Sequence, residues 1–192
     1  MRYQARLIDR GITDVEADDI DTVNINPFAH LGEKDRRVLI SENGEPVMVL
    51  QLFIRADEDG FLISSAFCGL LCNDRHIAII CGDHLHIFEL ATGNVRSLPL
   101  SDWVGHIYSV PDITSDRLHD QFLVATYCYV FLVDITEGIV WKSCRCAIDG
   151  VVIHAIEDGI IYGDGEWDPP GGWEPFELSL INGEMIRMGR SR

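Results

Sequence analysis

A chain of 192 residues with 47% hydrophobic and 24% charged residues is long and apolar enough to bury a core, and its composition is that of a globular protein rather than a disordered one. Its formal net charge of -16, with Lys34 and Lys142 as the only lysines, disfavours binding to phosphate backbones and to anionic membrane surfaces. The partner class that such a field attracts is a basic protein.

No run of about 18 apolar residues is present, so no membrane helix is expected. The first 19 residues, MRYQARLIDRGITDVEADD, lack an uninterrupted apolar stretch, which argues against a secretory leader and makes the cytoplasm the expected location. The six cysteines, Cys68, Cys72, Cys81, Cys128, Cys144 and Cys146, fall mostly inside apolar runs, as reduced thiols acting as small hydrophobes would.

In chain order, RYQARLI and VNINPF alternate enough to predict short strands, separated by an acidic block of Asp14, Glu16, Asp18, Asp19 and Asp21 that reads as a solvated loop. VLIS and PVMVLQLFIR flank Asn43-Gly44, a dipeptide that supplies the positive φ angles of a tight hairpin. After a loop from Ala56 to Gly60 come FLISS, HIAIIC, HLHIFELA and NVRSLPL, predicted as four strands. HIYSV, QFLVATY, YVFLVDI and GIVWKSC form a second set, and VVIHAI, GIIYG, PFELSL and EMIRM a third. The segments are too short and too rich in β-branched residues for helices of ordinary length.

These sets repeat at a fixed interval. Gly60, Gly105 and Gly150 are spaced by 45 residues, as are Gly93, Gly138 and Gly183, and as are Glu89, Asp134 and Ser179. The same shift lays Ile77 to Ile80 on Phe122 to Ala125, and Leu85 to Phe88 on Val130 to Val133. The fold class predicted is therefore all-β, built from four-stranded antiparallel repeats of about 45 residues. Repeats at 60–100, 105–146 and 150–190, with 1–55 as a degenerate first one, make one domain over 1–192 that is a small propeller of about four blades. A meander closed into a barrel or sandwich is the alternative use of the same strands.

Gly105-His106 ahead of the first strand of its repeat, and Val133-Asp134 at the end of the third, stand where WD-repeat propellers have Gly-His and Trp-Asp. The chain thus resembles divergent WD-repeat and related propeller families. The family's Trp is replaced by Phe88, Val133 and Leu178, so the resemblance implies architecture and no particular function.

Candidate site residues concentrate in GDGEWDPPGGWE, from Gly163 to Glu174, which interrupts the last repeat between its second and third strands. Its prolines and glycines predict an irregular loop. Trp167 and Trp173 are expected to be partly exposed anchors for a partner, with Asp164, Glu166, Asp168 and Glu174 supplying charge. Pro169 and Pro170 break the alternation of acids that a calcium loop would need, and Cys68-x3-Cys72 has the wrong spacing for structural zinc. No metal or cofactor is expected. There is no G-x-S-x-G elbow or phosphate-binding glycine loop, hence no predicted catalytic residue. His106 and His154, on the first strands of two repeats, are the candidates for a ligand pocket at a channel mouth.

The function expected is a non-catalytic, acidic protein-binding module, in its sharper form an inhibitor of a basic enzyme such as the immunity protein of a toxin. A small-ligand binder or enzyme using the channel mouth, and a structural component of an assembly, are the alternatives.

Overall fold

The structure is a computed structural model that describes residues 2–8, 20–56, 62–63 and 67–189. Asp14 to Asp19 of the acidic block and Gly60 therefore lie outside the described residues. The chain divides into two compact units, 1–99 and 100–192.

The first unit opens with β1 (Tyr3–Ile8), β2 (Thr22–Ile25), a 3-10 turn (Ala29–Leu31), β3 (Gly32–Glu42), β4 (Glu45–Ala56) and β5 (Leu62–Ile63). Asn43 and Gly44 turn β3 into β4 with φ of 53° and 89°, the positive values that the Asn-Gly dipeptide was expected to provide. This hairpin occupies one edge of β4, so β2 adds to the other edge and runs parallel to it, from Thr22↔Val49 to Ile25↔Leu52. The degenerate first repeat is accordingly a sheet in the order β1-β3-β4-β2, with one parallel pair and with β5 also on β4. It is not a plain antiparallel blade.

The second sheet is β6 (Cys68–Cys72), β7 (His76–Cys81), β8 (His84–Glu89) and β9 (Val95–Pro99), antiparallel and in sequence order. Its first strand is CGLLC and not the predicted FLISS, of which Leu62 and Ile63 pair with β4 instead. The reason is local. The Asn73 Oδ1 accepts the N–H groups of Arg75 and His76 at 2.8 and 2.7 Å, closing a short turn that places the residues just before it against β7.

Alternation then builds the core of this unit. Val38 and Ile40, Leu50, Leu52 and Ile54, and Ile77, Ile79 and Cys81 point to one side of their strands and pack together with Phe88. Each such aliphatic side chain contributes on the order of 1.5–3 kcal/mol on burial. Cys72 and Cys81 are among them, behaving as the small hydrophobes predicted, and all six cysteines are reduced.

The second unit holds two antiparallel sheets. The first is β10 (Val104–Ser109), β11 (Gln121–Thr126), β12 (Val130–Asp134) and β13 (Gly138–Lys142). The second is β14 (Val151–Glu157), β15 (Ile160–Asp168), β16 (Gly172–Ser179) and β17 (Met185–Met188). Leu123, Ala125, Val130 and Leu132 of the first pack with Val151, Ile153, Ile161, Phe176 and Leu178 of the second. The Tyr108 Oη accepts the N–H of Ile153 at 3.1 Å, tying β10 to β14.

The 45-residue interval is visible in the hydrogen-bonded register. Ile77 pairs with Phe88, and 45 positions later Phe122 pairs with Val133. Glu89, Asp134 and Ser179 each end the third strand of their sheet, and Gly93, Gly138 and Gly183 follow with φ of 72°, 93° and 70°. Gly105 is the second residue of β10, and Gly150 directly precedes β14. Four sheets whose strands pair only within each sheet, among the described residues, are neither one closed barrel nor a two-sheet sandwich. The fold is all-β and propeller-like.

Equivalent turns need not be equally tolerant of substitution. A Cβ on Gly93 would meet nothing within 4 Å, whereas on Gly183 it would lie 2.5 Å from the Trp141 ring. That ring is held by its Nε1–H, which donates to the Leu180 carbonyl at 3.1 Å. Gly93→Ala is expected to cost about 1 kcal/mol for its backbone conformation. Gly183→Ala is expected to cost roughly 2 kcal/mol more, because the indole must also give way. Urea unfolding of the two variants measures the difference, and equal losses would mean that Trp141 does not constrain the turn.

Candidate functional site

The stretch from Gly163 to Glu174 is a hairpin, not the irregular loop that its prolines and glycines predicted. β15 and β16 pair continuously through Asp164↔Pro175, Gly165↔Glu174 and Glu166↔Trp173 as far as Asp168↔Gly172. Pro169 and Pro170, joined by a cis peptide, and Gly171, with φ 98°, are confined to the tip. The Glu166 Oε1 accepts the Gly171 N–H at 2.6 Å and fastens the turn. In the register of the preceding sheet, Trp167 would face Leu178. Here Ile161 does, so the hairpin is six residues longer.

The glycines sit inside the strand for a packing reason. A Cβ on Gly163 would lie 2.4 Å from the Phe176 ring, and one on Gly165 would lie 1.9 Å from the Cys146 carbonyl oxygen. Backbone crosses where a side chain would otherwise stand.

Directly opposed residues share a face, so Tyr162 and Glu177, Asp164 and Pro175, and Glu166 and Trp173 line one face of the hairpin. Glu174 is on the other face, opposite Gly165, and Asp168 is exposed beside the tip. The two tryptophans differ. Trp173 is 39% exposed, one edge of its ring resting against Gly150. Trp167 sits where the register shifts between Glu166 and Asp168, is only partly exposed, and buries its indole Nε1 with no hydrogen-bond partner among the described residues.

On that same face lies a groove of about 230 Å³, bounded by His154, Tyr162, Asp164, Phe176, Glu177 and Arg187. The His154 Nε2 is 2.8 Å from the Asp164 Oδ2, and the Arg187 Nη1 is 3.6 Å from the Glu177 Oε1. Both pairs reach solvent, with Arg187 at 73% side-chain exposure, so each is a weak tether. The groove lies below the roughly 300–1,000 Å³ typical of sites that enclose a whole small molecule. It is large enough for one side chain.

Of the two histidines proposed for a pocket, only His154 borders this groove. His106 lies on β10 against Tyr108, with ring centroids 5.9 Å apart, and burial lowers its pKa. Burial likewise raises that of Tyr108, partly offset by the Ile153 N–H that its oxygen accepts. Among the described residues no serine, cysteine or lysine borders the groove. No group of three or more His, Cys, Asp or Glu among the described residues is arranged to hold a metal ion. Glu177 and Arg187 were missed in the sequence. Their alternation with apolar neighbours on β16 and β17 was the available signal, but only the pairing Glu177↔Arg187 brings them together.

No helix among the described residues is long and apolar enough to cross a membrane. No protein-family model matches the chain, and no curated protein matches it in sequence. Among solved structures it is similar to the WD40 domain of Neurospora crassa Pan2, at 13% identity and a TM-score of 0.48 over 82% of this chain and 48% of that one. It is similar to the AfRom2 CNH domain at 13% identity and a TM-score of 0.46, over 84% and 50%. To Kuenenia stuttgartiensis hydrazine synthase it is similar at 9% identity and a TM-score of 0.53, over 94% and 52%. The chain spans about half the length of each. At such identities the likeness concerns fold, and with the four sheets described above it makes this an all-β protein of propeller-like architecture.

Proposed function

We propose that the chain is a non-catalytic protein-binding module that presents the outer face of the β15–β16 hairpin to a basic protein, and that it acts as an inhibitor of that partner in the manner of a toxin's immunity protein. The observation that carries the reading is the placement of a half-open Trp173 on one strand-borne face with Asp164, Glu166 and Glu177. Strands hold these groups in fixed register, so little ordering entropy is lost when a partner docks. A net charge of -16 speeds encounter with a cationic surface, and the aromatic ring gives the contact its desolvated centre. Its expected location, with a soluble partner, is the cytoplasm.

The test is to isolate a basic partner by affinity capture from native extract at low salt, then to measure its binding to single variants. Trp173→Ala is expected to weaken binding by roughly ten- to thirty-fold, the effect of losing an anchor residue, without shifting the melting temperature. Trp167→Ala is expected to lower the melting temperature instead, since its indole is folded inward. Binding that is indifferent to both Trp173→Ala and added salt would overturn the reading.

A further inference from the structure

We infer that the groove beside Trp173 is a socket for a single arginine side chain of the partner, with Asp164 and Glu177 as its ion-pair acceptors. This rests on the binding-module reading and names the group it would recognise. Two carboxylates reach the same groove from neighbouring strands, β15 and β16, and a third, Glu166, lies one step further along the same face. Among the described residues the groove's only obligate cation is Arg187, which is 73% exposed and 3.6 Å from its acceptor. Such a contact is easily exchanged, because an exposed ion pair is screened by solvent and holds its partners weakly. An incoming guanidinium gains more than Arg187 gives up, since it can lay its face on the Tyr162 ring while its N–H groups meet the two carboxylates.

The shape and size select arginine over a bulkier ligand. A volume of about 230 Å³ holds one long side chain. The planar guanidinium can place its forked N–H groups toward two acceptors while its face lies on an aromatic ring, which the compact ammonium of lysine cannot do. Among the described lining residues the charge disfavours an anion, because Asp164 and Glu177 outnumber Arg187 and His154 is already engaged with Asp164.

The experiment is an NMR titration of the full-length, 15N-labelled chain with the capped peptide acetyl-Gly-Gly-Arg-Gly-Gly-amide, and with its citrulline and lysine counterparts. Citrulline keeps the shape of arginine without its charge. The arginine peptide is expected to give saturable shifts at the amides of Tyr162, Asp164 and Glu177, the lysine peptide to bind several-fold more weakly, and the citrulline peptide to give no saturable shift. Asp164→Asn and Glu177→Gln should each weaken the arginine peptide by roughly five- to ten-fold, the loss of a charge-assisted hydrogen bond. Arg187→Ala should strengthen it by about two- to five-fold, the release of one exposed ion pair. Equal binding of citrulline or lysine, shifts confined to other surfaces, or weaker binding by Arg187→Ala would each overturn the socket. The parent reading is scored separately. If the captured basic protein loses affinity for Trp173→Ala but not for Asp164→Asn, the socket falls and the module stands. If Trp173→Ala and salt leave capture unchanged, the module reading itself falls.

Discussion

Gly165→Ala is expected to destabilise the second unit on the order of 3–5 kcal/mol. The new Cβ would lie 1.9 Å from the Cys146 carbonyl oxygen and 2.9 Å from its carbonyl carbon. Backbone cannot step aside as a side chain can. Its neighbours are fixed as well: the Cys146 N–H donates to the Cys128 carbonyl at 2.8 Å, and the Ile148 N–H to the Glu166 carbonyl at 2.9 Å. Relief therefore requires parting the 146–148 segment from β15 and losing hydrogen bonds as well as contact. Gly171→Ala at the hairpin tip is the control for an added methyl, since nothing lies within 4 Å of that position and the cost there is only that of its positive φ. Chemical denaturation of both variants checks the ordering, and a Gly165→Ala protein as stable as Gly171→Ala would contradict the close approach.

Acid should unfold the first unit through His86. This ring is fully buried; its Nδ1 is 2.8 Å from the Ser97 Oγ, and its Nε2 has no partner among the described residues. Burial, with the neighbouring His84, lowers its pKa to about 3, while Asp83 opposes the shift. His84 stacks on it with centroids 5.9 Å apart, and is itself 2.6 Å from Asp83. Between about pH 3 and the unfolded value near 6.5, the unfolded chain holds a proton on this residue that the native one does not. Stability therefore falls as pH drops through that window and levels off below it, by roughly 3–5 kcal/mol in all. The Asp83 pKa, lowered chiefly by its hydrogen bond with His84, adds stability that is also lost in acid as that carboxylate is protonated. Relief of the net negative charge works in the opposite direction.

His86→Leu separates these effects. It removes the buried base, leaves the surface charge intact, and frees Ser97, which is not fully buried, to turn to water. The variant is expected to lose most of the pH dependence between 6.5 and 3, with acid unfolding displaced by a pH unit or more. Thermal melts followed by circular dichroism across this range measure it, and a pH profile matching that of the parent chain would show that His86 does not carry the transition.

The propeller-like plan was legible because β-structure writes its period into the chain. Alternation in HIAIIC and QFLVAT, turn glycines and closing acids recur at 45 residues, and the register pairs Ile77↔Phe88 and Phe122↔Val133 obey the same interval. Local chemistry also sufficed for the Asn43-Gly44 turn, where the dipeptide alone supplies the backbone geometry. It failed where a residue's role is set by something remote in sequence. FLISS was read as the first strand of its set, but its Leu62 and Ile63 pair with Arg55 and Ala56 of β4, and CGLLC takes the place beside β7.

The hairpin is the sharpest case. Gly163 and Gly165 read as breakers, because a sequence records the lack of a side chain but not the Phe176 ring or the Cys146 carbonyl that takes its space. Composition, alternation and spacing, being properties of neighbours along the chain, determined most of the strands, their grouping at 45 residues and the acidity of the chain. Which acids stand together, that Trp173 opens outward while Trp167 turns in, and that Asp164, Glu177 and Arg187 border one groove were decided only by cross-strand register, because pairing, and not order along the chain, sets which side chains share a face.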